Sequence, residues 1–70
     1  MNFITNDTRA DQALVTLNYY LKLAPNDNDV ESLTIDLLSD ILHLLEREGV
    51  EPERVMRMAE DHWRAERQGL

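Results

Sequence analysis

Apolar residues recur along the chain at the three-and-four spacing of a helix, not at the two-residue spacing of a strand, and they do so in three separate stretches. In the first, Ala10, Ala13, Leu14, Leu17 and Leu21 form one stripe with Tyr20 at its flank. The second holds more. Val30, Leu33, Leu37, Ile41, Leu44 and Leu45 make one stripe, and Ile35, Leu38 and Leu42 make another beside it. In the third, Val55, Met58, Ala59, His62 and Trp63 share an inner side, with Arg54, Arg57, Arg64 and Arg67 outward among Glu53, Glu60, Asp61 and Glu66.

Local chemistry sets the expected ends. Asp7 is the expected N-cap of a first helix over 8–23, since its carboxylate can accept from unpaired backbone N–H groups, and Pro25 closes that helix. Asn28 or Asp29 caps a second over 30–48, with Asp29 and Glu31 suiting the positive end of its dipole and Gly49 as the left-handed residue that ends it. Pro52 at the first position opens a third over 52–68. The expected fold is all-α, a compact three-helix domain spanning residues 1–70, with the central helix as its spine.

Two apolar stripes on one helix require cover from two sides. The flanking helices carry narrower stripes, so some leucine and isoleucine surface stays open in a single subunit, and a surface of that kind marks an interface. Ile35, Leu38 and Leu42, with Trp63 as an anchor, are the expected oligomer interface. Size points the same way. A chain of 70 residues without cysteine has no disulfide to support a small core, and a partner subunit is a common remedy. A homodimer through the central helix is therefore expected.

Charge then narrows the partner. The formal net charge is −7. Between Asn26 and Glu48 lie Asp27, Asp29, Glu31, Asp36, Asp40, Glu46 and Glu48 against the single base Arg47, whereas beyond residue 50 acids and arginines nearly balance. Direct nucleic-acid binding is not expected, because it needs a basic stripe to neutralise phosphates. Asp29, Glu31, Asp36, Asp40, Glu46 and Glu48 are instead the candidate protein-binding acidic face, able to meet a basic surface such as a nucleic-acid groove. The plainer alternative is a solvated face whose acids maintain solubility.

Candidate chemistry is sparse. Asp36, Asp40 and His43 fall on one helix side at metal-compatible spacing, but Arg47 continues that row and favours surface ion pairing over a cation site. No metal or other cofactor is expected. Neither histidine has a nucleophile-and-orienter set around it, and phosphate loops and HExxH are missing, so the expectation is a non-enzyme. A metal-dependent all-α nucleotide hydrolase relative is the weaker alternative, since only one set of helix-borne acids is visible. His62 is expected as a half-buried helix residue. With no long apolar run, no basic-then-apolar leader and no cysteine, the expected location is cytoplasmic, without a membrane partner.

The run Asp36-Leu37-Leu38-Ser39-Asp40-Ile41-Leu42-His43-Leu44-Leu45-Glu46-Arg47-Glu48-Gly49-Val50, followed by Met58-Ala59-Glu60-Asp61-His62-Trp63, resembles short uncharacterised acidic helical proteins encoded by phages, plasmids and other mobile elements. The likeness covers residues 36 to 66 and does not extend into the first 30. Such proteins have no activity to transfer. Their origin implies a role in occupying a host complex, as anti-CRISPR proteins do. The functional expectation is thus a non-enzymatic acidic protein-binding module, with a small structural or regulatory homodimer as its alternative.

Overall fold

In the computed structural model, which describes residues 4–23 and 29–69, the described residues form three α-helices and no strand: α1 (Asn6–Leu23), α2 (Val30–Arg47) and α3 (Pro52–Arg67). The chain divides into two units, Met1–Ser39 and Asp40–Leu70, each described by itself. The turn expected at Pro25, with Asp27 and the alternative cap Asn28, lies outside the described residues.

The first unit holds α1 and the opening turns of α2. The first helix starts at Asn6, two residues before the expected Thr8, because Thr5 and not Asp7 caps it. The Thr8 backbone N–H donates to Thr5 Oγ1 at 3.1 Å, and the Arg9 N–H donates to the Thr5 carbonyl at 3.0 Å. Threonine at this position satisfies a donor that the helix itself cannot. Asp29 does the same for α2: Ser32 N–H donates to Asp29 Oδ1 at 2.8 Å and Leu33 N–H to the Asp29 carbonyl at 3.1 Å.

The core of this unit is two leucines, Leu17 on α1 (8% exposed) and Leu33 on α2 (5%). Around them Tyr20, Leu21, Ser32, Thr34 and Leu37 are partly covered. Cover therefore gathers in the last turns of α1 and the first turns of α2. Ala10, Ala13 and Leu14, at the N-terminal end of the predicted stripe, are exposed.

The second unit holds the end of α2, a short turn and α3. Backbone geometry closes α2 one residue earlier than expected, at Arg47. Gly49 adopts φ +74°, its N–H donates to the Glu46 carbonyl at 3.2 Å, and Val50 N–H donates to the Leu45 carbonyl at 2.9 Å. This pair of bonds is a Schellman motif, in which a left-handed residue lets the chain double back and satisfy carbonyls left open by the helix. Pro52 then opens α3 behind Glu51, whose carbonyl accepts from Val55 N–H at 3.3 Å while its side chain makes no cap bond. Proline forfeits nothing there, because the first-turn N–H groups have no helical partner. The helix ends at Arg67, one residue before the expected boundary, with Gly69 at φ +78°.

No described residue of the second unit is buried. Ile41, Leu42, Leu45, Val50, Val55 and Met56 are partly covered. Of the side chains assigned by pattern to the inner side of α3, only Val55 is partly covered; Met58, Ala59, His62 and Trp63 are exposed. Amphipathic spacing identifies the apolar side of a helix but does not supply the neighbour that would cover it.

Candidate protein-docking surface

At about 100° per residue, the apolar positions of α2 sweep more than half of its circumference. One side of that sweep is covered in part: Leu33 is buried and Leu37, Ile41 and Leu45 are partly covered, whereas Val30 and Leu44 of the same stripe are exposed. The other side is open. Ile35 is 56% exposed and Leu38 37%. Leu42, next in the same helical register, is partly covered. Trp63, the fourth residue singled out as an interface anchor, stands on α3 in the second unit and is 50% exposed.

The six acids assigned to one face are all exposed, but helical register distributes them differently. Glu31 lies four residues before Ile35 and seven before Leu38, so it heads the open apolar stripe. Glu46 follows Leu42 by four residues and stands at the other end of that register. Asp36 and Asp40 fall on the opposite, polar side with Ser39 and His43. Asp29 serves as the cap of α2. Glu48 lies beyond the helix end, with its Oε2 3.6 Å from Arg47 Nε. The acids thus frame and flank the stripe and do not make a continuous face.

Asp29 is held below the ordinary carboxylate value of 3.8, first by the Ser32 N–H it accepts and then by the Ser32 hydroxyl. Both bonds favour the ionised form. His43 Nδ1 lies 3.9 Å from Glu46 Oε1, and both side chains are largely exposed. Among the described residues no three His, Asp or Glu side chains come together in a way that could hold a metal ion, and Asp36, Asp40 and His43 form no such group. Among them, too, no helix is long and apolar enough to cross a membrane.

A second feature, which sequence reasoning missed, sits at the end of α3. Arg67 Cζ lies 4.8 Å and Arg64 Cζ 5.7 Å from the centroid of the Trp63 ring. Cations at such distances are attracted to the negative face of the indole. Arg64 is also held by Glu60, through Nε at 3.2 Å and through Nη2, and that contact favours its charged form further. A shallow open depression of about 230 Å³ is lined by Arg64, Arg67 and Gln68. The i, i+4 spacing of Trp63 and Arg67 carries this signal, but apolar patterning alone puts the ring inward and the arginines outward.

Neither protein-family models, nor curated proteins, nor solved structures gave a match to this chain.

Proposed function

We propose that the protein is a non-enzymatic binding module that docks onto another protein through α2. The observation that carries this reading is the open stripe of Ile35 and Leu38, headed by Glu31 on the same side of the same helix. An amphipathic helix that presents apolar anchors in helical register fits the groove of a partner, and a carboxylate at the rim selects a partner with cations beside that groove. Such rim charges contribute to encounter and orientation more than to affinity, which the apolar anchors supply. The likeness to mobile-element proteins favours one form of this function, namely occupancy of a basic, nucleic-acid-binding surface of a host complex in the manner of an anti-CRISPR inhibitor.

The test places a photo-crosslinking residue at Leu38 in the intact chain and irradiates it in an extract of the encoding cell. The expected result is one discrete protein adduct that is lost with Ile35→Glu and weakened by Glu31→Lys or by added salt. An adduct pattern unchanged by either substitution, or no adduct at all, would overturn the reading.

A further inference from the structure

Within the second unit two exposed features carry opposite charge around an apolar centre. On α3, the Trp63 ring is 50% exposed with the Arg67 and Arg64 guanidiniums 4.8 and 5.7 Å from its centroid. On the last turns of α2, Leu44 is 45% exposed. Asp40 lies four residues before it on the helix, and Glu48, just past the helix end, donates its backbone N–H to the Leu44 carbonyl at 3.0 Å, so an acid stands one turn to either side of the leucine along the chain. One feature is an aromatic ring with two cations close to it. The other is an aliphatic side chain between two carboxylates.

We propose that these two features recognise each other between two copies of this chain, in a two-fold dimer formed by residues 40–69. Trp63 of one copy covers Leu44 of the other, and its arginines meet Asp40 and Glu48. A two-fold axis makes each contact twice, so a modest patch is doubled. Tryptophan and arginine are the residue types that most often dominate interface energetics, and an indole packed on leucine removes apolar surface that each copy leaves in water. The occupant is a second copy because the required complement, carboxylates on both sides of an exposed apolar residue, is displayed by this chain itself. The net charge of −7 opposes association only weakly at physiological salt, where charges more than about 8 Å apart are screened, while the facing groups stay within reach. Glu60 and Arg47, which already contact Arg64 and Glu48, stand beside the new contacts and leave all four side chains largely exposed.

This proposal concerns a surface other than the Ile35–Leu38 stripe, and its failure leaves the reading of that stripe intact. The experiment uses two full-length variants, Arg64→Glu/Arg67→Glu and Asp40→Lys/Glu48→Lys, studied by sedimentation velocity across concentration. Fluorescence of Trp63, the single tryptophan, gives a second readout, and far-UV circular dichroism checks helicity. Wild type is expected to dimerise, with the tryptophan emission moving to the blue. Each variant alone should associate at least about tenfold more weakly, because like charges face each other. An equimolar mixture should regain the dimer, since both copies of the contact then pair opposite charges. A wild type that stays monomeric up to about 1 mM, variants that associate as wild type does, or a mixture no better than its components would each overturn the proposal. Should either charge reversal unfold the chain, the milder Arg67→Gln and Asp40→Asn must still weaken association, and unaltered association in both overturns it equally.

Discussion

The two units reach the same helical outcome from different causes. In the first, α1 and the start of α2 hold the buried residues Leu17 and Leu33, and both helices are capped by side chains, Thr5 and Asp29. In the second, no described residue is buried, and order comes from the backbone: a proline that opens α3, left-handed glycines after α2 and α3, and contacts along α3 itself. Burial stabilises through area removed from water and depends on distant parts of the chain. Caps and i, i+4 pairs depend only on near neighbours, and each contributes little. Helical structure in the first unit should therefore be sensitive to a single core deletion, and that in the second to turn chemistry.

The largest effect that would sharpen this contrast comes from Leu33→Ala. Removing a leucine side chain from a buried site costs about 2–5 kcal/mol, a large part of the stability of so small a chain. Urea denaturation followed at 222 nm should show a strongly lowered midpoint, with Leu17→Ala close behind. Met58→Ala, at an exposed site on α3, should move the midpoint far less. Equal losses at Leu33 and Met58 would mean that the two units do not differ in this way.

Next in size is Gly49→Ala. A methyl group built at Gly49 meets nothing within 4 Å, so the cost arises from φ +74° alone and not from a clash. A left-handed alanine costs about 1 kcal/mol. Gly49→Asn should cost less, because asparagine tolerates that region better. If alanine and asparagine proved equally harmless, the turn would not be what fixes the end of α2.

Asp29→Asn isolates a smaller contribution, the charge of the cap, since the amide oxygen can still accept from Ser32. The folded carboxyl is depressed below 3.8. The sign follows: its contribution is complete above the unfolded value and is lost as pH falls through the folded one. Wild type should therefore be the more stable at pH 7, and the two proteins should converge in acid, once the pH has fallen below the folded value. A difference that persists in acid would assign the effect to something other than ionisation of Asp29.

Much of the fold is legible in the residues, and where reading fails the physical reason is local. Gly49 and Pro52 announce their roles because glycine is enriched at the left-handed position after a helix and proline at the first helical position. The start of α1 does not, since apolar periodicity begins only at Ala10 and two competent caps, Thr5 and Asp7, stand within three residues of each other. The bond from Thr8 N–H decides between them, and periodicity carries no trace of it. On α2 the width of the apolar sweep shows that some of it stays open, but which side is covered depends on the neighbouring helix. On α3 the apolar spacing is plain and still misled, because it states what could be buried and not what is. The candidate acidic face divided for a related reason: sequence proximity groups acids that a turn of 3.6 residues separates.

The smallest expected effect tests the second unit at its surface. Arg64 and Glu60 sit four residues apart on α3, both more than half exposed, and the pair is joined by two nitrogens. An exposed pair loses in side-chain ordering much of what it gains in attraction, and salt screens the remainder. Glu60→Gln should barely shift the melting temperature at low salt and not at all in 1 M sodium chloride. It should, however, loosen Arg64 from its position near Trp63, leaving Arg67 as the principal cation on the ring. The tryptophan emission of Arg67→Gln should then change more than that of Arg64→Gln, as the shorter distance of 4.8 Å against 5.7 Å requires. The reverse order would show that the ring is held mainly by the residue beside it and not by the one a turn away.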